Sequence, residues 1–228
     1  MCAATAWTTK GTFNALIYLH RYRGVFVRRG SCLEPLKAHY SLLQRSKNMK
    51  IEVIVGNIVK QPDMEAVVNS ANANLRLGSG VAGAIHTAAG PKLEEYCKPF
   101  APLAFGAYLV TPGFKLPNLW VIHVRAASYT NHDDAPQILE QAIEAALKAA
   151  HQNDIRALAL PAIGTGVFAF PPELAAQITA KVFCAASALA PHLQCIRVCV
   201  ASEFLRDVYV AALEAQGLSV AQAASAPV

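Results

Sequence analysis

The sequence predicts an α/β fold in which helices are layered on a largely parallel β-sheet. Three observations lead there. Short apolar runs rich in β-branched residues recur at 51–55, 66–68, 106–111, 120–124, 155–160 and 195–201. Between several of them lie stretches with apolar residues at helical spacing. Gly- and Pro-containing turns mark the boundaries, and strands that alternate with helices favour parallel pairing through crossover connections. With 228 residues and 54% hydrophobic composition, the chain can bury roughly 70% of its unfolded surface without a disulfide or metal staple.

Taken in order, residues 51–55 form a strand closed by Gly56-Asn57. Gln61-Pro62-Asp63 turns the chain into a second strand at 66–68. An Asn-rich turn and a glycine loop follow, then a helix over about 81–89 that Gly90-Pro91 stops. Residues 93–100 continue helically, and 106–111 and 120–124 are strands on either side of Pro112-Gly113. Asp133 or Asp134 caps the next helix. That helix carries Pro136 in its first turn and an apolar face of Ile138, Ala142, Ile143, Leu147 and Ala150. The strand 155–160 leads into a second glycine loop at 161–168. Pro171-Pro172-Glu173 opens a helix to about Leu189. A last strand, 195–201, precedes a last helix, 203–216, and residues 217–228 are an apolar tail expected to fray at its end.

Charge is unevenly spread. Residues 1–48 hold eight Lys/Arg and one acid, Glu34, a net of +7, whereas 49–228 hold twelve Lys/Arg against fourteen Asp/Glu, a net of −2. The basic balance therefore belongs to an N-terminal extension, expected to be poorly packed, and the domain at 49–216 carries no case for nucleic-acid binding. Met49-Lys50-Ile51 reads as a natural start running into a strand. An organellar transit peptide is the other reading of 1–48. Six scattered cysteines without a Cys-x-x-Cys pair suit reduced thiols in a cytoplasmic protein, with Cys195 and Cys199 on one side of a strand. The histidines show no His-x-x-x-His spacing, so neither a metal nor another cofactor is expected. No apolar run approaches the roughly 18 residues of a membrane-spanning helix, and no membrane partner is expected.

The chemistry concentrates in the two glycine loops. Gly78-Ser79-Gly80-Val81-Ala82-Gly83 matches the dinucleotide pattern Gly-x-Gly-x-x-Gly, but an Asn-rich turn separates it from its strand. The acid expected about 20 residues on is missing at 101–105. Neither loop ends in the Gly-Lys-[Ser/Thr] of a P-loop. Two such loops, each between a strand and a helix, can instead form opposite walls of one cleft at the strand carboxyl ends. Each wall offers backbone amides, so a diphosphate fits the pair. Asn69, Asn72 and Asn74 add neutral donors and acceptors, which suit sugar hydroxyls better than a metal. The expected ligand is a phosphorylated sugar or nucleotide.

Asn69-Ser70-Ala71-Asn72-Ala73-Asn74-Leu75 followed by Gly78-Ser79-Gly80-Val81-Ala82-Gly83-Ala84-Ile85-His86-Thr87-Ala88-Ala89-Gly90 resembles the signature of the macrodomain family. Leu116-Pro117-Asn118-Leu119-Trp120-Val121-Ile122-His123 and Ala162-Ile163-Gly164-Thr165-Gly166-Val167-Phe168-Ala169-Phe170-Pro171 resemble its later blocks. The resemblance spans about 49–216. It implies a three-layer αβα sandwich around a mixed, largely parallel sheet. It also implies ADP-ribose as the ligand, free, acetylated or attached to protein, which makes mono-ADP-ribosylated proteins expected partners.

Carried over by position, Asn72 would hold the distal ribose as the catalytic residue, with Asn69 in the same Asn-rich turn also among the ligand-binding residues. Gly78, Ser79, Gly80 and Val81 would line one side of the diphosphate, with Ala82 next to them. Gly164, Thr165, Gly166 and Val167 would line the other, and Phe168 would lie against the distal ribose. Asn57 and Ile58 would flank the adenine. Three positions depart from the family pattern. Asn57 stands where many members have an Asp that accepts from the adenine amino group, and it lacks that charge-assisted strength. Ala82 stands where one hydrolase branch has an Asp that positions water, although some members without it still hydrolyse, using the substrate's own phosphate to orient water. Ala201 stands where an aromatic often stacks on adenine. The implied activity is hydrolysis of acetyl or ADP-ribosyl groups at the distal ribose, and the competing reading is a non-catalytic reader.

Overall fold

The computed structural model describes residues 49–221, so the expectations for 1–48 and 222–228 lie outside it. Strands β1 (Lys50–Val55), β2 (Ala66–Ser70), β3 (Tyr108–Pro112), β4 (Trp120–Val124), β5 (Ala157–Pro161), β6 (Cys195–Val200) and β7 (Val220–Ala221) form one sheet in the spatial order β3-β4-β2-β5-β6-β1-β7. All pairings are parallel except β3 with β4, whose antiparallel register sets Leu109 against His123.

The two-residue period of a strand sends alternate side chains to opposite faces, and here both faces are covered. Ala66 and Val68, Ile122 and Val124, Leu158 and Leu160, and Ile196 and Val198 enter one core, together with Ile51 and Val53. Helices α3 (Ala135–Gln152), α4 (Pro172–Cys184), α5 (Ala186–Leu189) and α6 (Glu203–Ala215) cover that face. Val67, Val121, Ala159 and Cys199 turn the other way, against Ile85 and Ala89 of α1 (Gly80–Ala89) and Leu93 and Cys97 of α2 (Pro91–Cys97). Cys195 packs on this second core as well, so the two cysteines share a strand side as expected. The result is the three-layer αβα sandwich.

Several element bounds differ from expectation. Gly90, at φ 84°, ends α1 and lets the chain re-enter a helix at once at Pro91, after which a 3₁₀ turn covers Lys98–Phe100. Asp134 is the N-cap of α3 but makes no side-chain capping bond. The helix from Pro172 breaks at Ala185, where the turn tightens and the Ala185 N–H reaches the Val182 carbonyl. Past the expected end at Gln216, Gly217 turns the chain at φ 75° and Val220–Ala221 pairs with β1.

Two polar clusters are built into the sheet face that carries α1 and α2. The Arg197 guanidinium on β6 meets Glu52 on β1 at 2.6 Å, Gln61 at 2.8 Å and both oxygens of Asp63. Burial alone would raise the Glu52 pKa, but hydrogen bonds from Lys50 and Arg197 outweigh it and the carboxyl falls below its usual range. Gln61 in turn donates to the Asn57 carbonyl at 2.9 Å, which fixes the chain just beyond β1.

The second cluster joins β2, β4 and β3. Asn69 Nδ2 donates to His123 Nδ1 at 3.0 Å, and His123 Nε2 lies 3.1 Å from the Thr111 hydroxyl, which itself donates to the Pro112 carbonyl. That assignment makes His123 neutral, with its proton on Nε2. Burial pushes its pKa down to about 3, with nearby His86 adding to the effect. His86 is lowered by its own burial, against the opposing pull of Glu94. In the unfolded chain both return to about 6.5, so the unfolded state takes up protons first as pH falls. Their contribution to stability is present above about pH 6.5 and is lost as pH drops towards about 3. Urea unfolding midpoints should therefore fall between about pH 7 and about pH 4.5, and His123→Gln should start lower yet fall less steeply. Parallel pH profiles for the two proteins would contradict this.

Candidate functional site

Because β1, β2, β4, β5 and β6 run in one direction, the loops that follow them leave from a single edge of the sheet. β2 and β5 are neighbours, so the glycine loops that follow them are brought side by side. This is the crevice position where open α/β sheets bind ligands.

The first loop is held by its own side chains. Asn72 Nδ2 donates to the Arg76 carbonyl at 2.7 Å, and its Oδ1 accepts from the Arg76 N–H at 3.2 Å. The side chain thereby stands in for a strand partner and closes the turn. Gly78 then passes so near that a Cβ there would sit 3.2 Å from Asn72 Nδ2. A Cβ on Gly83 would run into the Gly78 carbonyl oxygen, so glycine is required where α1 crosses the loop. Ser79 is the N-cap of α1 but makes no side-chain capping bond, which leaves the first-turn amides to the cleft side. A Cβ at Gly80 would meet nothing within 4 Å.

Packing braces the second loop. Gly164 has φ 92°, and its Cα lies against the Phe170 ring. Phe170 N–H returns to the Gly164 carbonyl, Ala169 N–H to Gly166, and the Thr165 hydroxyl to Ala162 at 2.9 Å. Gly166 and Val167 are exposed, and a Cβ at Gly166 would meet nothing within 4 Å. The loop after β4 supports this arch from the side. Tyr129 N–H donates to the Phe168 carbonyl at 2.8 Å, and the Tyr129 and Phe170 ring centroids are 5.1 Å apart. Tyr129 was missed in the sequence because it lies in an unpatterned loop.

The structure brings Asn72, Gly78, Ser79, Gly80, Val81, Gly164, Thr165, Gly166, Val167 and Phe168 to this edge, with Asn57 at the end of β1. It separates three others from the open cleft. Asn69 is fully buried, and its amide is spent on His123 in the layer beneath α1, so it braces the sheet rather than facing a ligand. Ile58 is buried in the second core at 5% exposure, and Ala82, at 6%, is buried in the first turn of α1 beside Gly78. The Asn57 Oδ1 accepts from the Val59 N–H at 3.1 Å and so shapes its own turn. Ala201 is a small exposed residue, as read, but Phe204 three residues on is 59% exposed in the first turn of α6. The signal for Phe204 was an aromatic just past a strand end, hidden by its place in a helical pattern. Among the described residues no group of three or more His, Cys, Asp or Glu could hold a metal.

A family model for the macro domain matches residues 68–179. A macro domain-containing protein of Lactiplantibacillus plantarum is 36% identical over 170 residues, covering 73% of this chain and 98% of that protein. The chain belongs to the macrodomain family. An O-acetyl-ADP-ribose deacetylase of Salmonella typhimurium is 38% identical over 138 residues, covering 58% of this chain and 76% of that enzyme. The solved macrodomain of Oceanobacillus iheyensis with ADP superposes with a TM-score of 0.67 at 29% identity, covering 74% of this chain and 92% of that one. Both glycine loops of this macrodomain lie inside the matched region, whereas Asn57, Ile58 and Phe204 lie outside it.

At Gly164 a Cβ would press on Phe170 Cδ2 at 2.7 Å and the backbone is left-handed, so Gly164→Ala combines strain with overpacking. A loss of about 2–4 kcal/mol in urea unfolding is expected. A change under about 0.5 kcal/mol, typical of a surface position, would show that the arch is not rigid.

Proposed function

We propose that this macrodomain binds ADP-ribose between its two glycine loops and hydrolyses O-acetyl-ADP-ribose or removes mono-ADP-ribose from proteins. One observation carries the reading. Two loops with free approach at Gly80 and Gly166 follow neighbouring parallel strands at their carboxyl ends. A diphosphate spanning them would meet backbone N–H groups from both sides, aided by the positive end of α1. The activity named for the Salmonella relative and the ADP in the Oceanobacillus structure support the same ligand class.

In this reading Asn57 borders the adenine, and exposed Phe204 supplies the aromatic face that Ala201 cannot. Asn72, immobilised by its two bonds to Arg76, orients the distal ribose between itself and Phe168. A water seated by the diphosphate adds to the ester carbon, so acetate departs and the ribose hydroxyl is regenerated. The loop amides hold the phosphate charge in place before the reaction begins, which is the form of electrostatic help that needs no reorganisation. Localisation in the cytoplasm is part of the same proposal, and the unpaired Cys97, Cys184, Cys195 and Cys199 among the described residues accord with it.

A second reading, a non-catalytic reader of ADP-ribosylated protein, rests on buried Ala82, which offers no carboxylate to a water. Turnover separates the two. Release of acetate from O-acetyl-ADP-ribose, or of ADP-ribose from a mono-ADP-ribosylated protein, is expected. Tight ADP-ribose binding with neither release would leave the reader.

The site itself is tested by Gly166→Glu, which has space for the side chain and no left-handed backbone to strain. Calorimetry should show ADP-ribose affinity reduced by about a hundredfold or more, with unfolding stability within about 0.5 kcal/mol. Undiminished affinity would move the ligand away from the second loop.

A further inference from the structure

Residues 76–80 are all exposed, so burial does not hold the first glycine loop in shape. Directed hydrogen bonds do. Asn72 clasps Arg76 from within the turn, and the next residue, Leu77, is clasped from outside. Its N–H donates to Glu94 Oε2 of α2 at 2.9 Å, across seventeen residues of chain. The leucine side chain contributes little, since Leu77 is 57% exposed. Glu94 also stands at the wall between two cavities behind the loop. One is about 550 Å³, lined in part by Leu77, His86 and Lys98, and the other about 160 Å³, lined by Asn74, Arg76, Glu94, Lys98 and Ala101. Leu75 is buried in the second core, but Asn74, Arg76 and Leu77 on either side of it are exposed.

We propose that Glu94 is a positioning residue for the ligand site, setting the height of the first glycine loop through the Leu77 N–H. The proposal rests on the reading of the two loops as a diphosphate cleft. Leu77 immediately precedes Gly78, so a shift at its amide moves Gly78 and Ser79 together. Glu94 itself touches no ligand. A carboxylate accepting from a backbone N–H is worth more than a neutral acceptor, and glutamine at 94 can still accept. Glu95, its neighbour on α2, lines the larger cavity and gives a control with the same charge change.

Three variants, Glu94→Ala, Glu94→Gln and Glu95→Ala, decide the matter with two readouts. Amide hydrogen exchange at Leu77 needs no ligand and should accelerate in Glu94→Ala, much less in Glu94→Gln, and not in Glu95→Ala. ADP-ribose affinity should fall about tenfold in Glu94→Ala, less than about threefold in Glu94→Gln, and stay unchanged in Glu95→Ala. AMP, which lacks the second phosphate and the distal ribose, should bind all four proteins alike. Unchanged exchange in Glu94→Ala overturns the proposal, as does faster exchange with unchanged ADP-ribose affinity. An unaltered protein that binds no ADP-ribose would overturn the cleft reading and this role with it, while the exchange result would still report whether Glu94 fastens Leu77.

Discussion

Because β2 and β5 run side by side in one direction, with Ala66 opposite Leu158 and Val67 opposite Ala159, the chain beyond each must depart from the same edge of the sheet. Parallel neighbours cannot be joined by a hairpin. They require long crossovers, and here the route from β2 to β5 contains α1, α2, an antiparallel excursion through β3 and β4, and α3. Those helices cover both faces, which is why β2 can be apolar at Val67 and Val68 alike. Two glycine loops 86 residues apart, counted from Gly78 to Gly164, become neighbours through this pairing.

The two loops are kept in shape by different physics. The second is an arch over Phe170, a buried ring that penalises any change of path through contact. The first is anchored in the core at Leu75 and Val81, and its exposed stretch between them relies on side-chain amide and carboxylate bonds at Arg76 and Leu77. Packing resists displacement steeply. Partly exposed hydrogen bonds are each worth only about 1 kcal/mol net and can exchange with water. The loop at α1 is therefore the more adjustable of the two, and the loop after β5 the more rigid.

Much of this was legible in the sequence, for reasons that differ by element. β4 was bounded correctly because Trp120-Val121-Ile122-His123-Val124 is an apolar run between turn residues. β2 was cut short because Asn69 and Ser70 look like turn formers. Asn69 stays in the ladder with its Nδ2 bonded to His123, 54 residues away, and no local pattern can show such a partner. The same distance hid its burial, so it was grouped with the ligand-facing asparagines. Asn72 lies in the turn after β2 where the Asn-rich pattern puts it, yet its two hydrogen bonds to the Arg76 backbone depend on a turn geometry that composition does not encode. Phe204 was passed over because an aromatic in a helical stretch normally reads as core, and here the first turn of α6 leaves it outside.

The small strand β7 has a consequence for the company this protein keeps. At that margin of the sheet, β1 would otherwise present a row of unpaired amides and carbonyls to any passing extended chain. Val220 and Ala221 occupy the positions beside Ile51 and Glu52, so this short strand serves as a selvedge there. The opposite margin, β3, ends in Pro112, which has no amide hydrogen to offer. Both hems are thus partly stitched, which favours a sheet that stays within one molecule over one that extends into its neighbours.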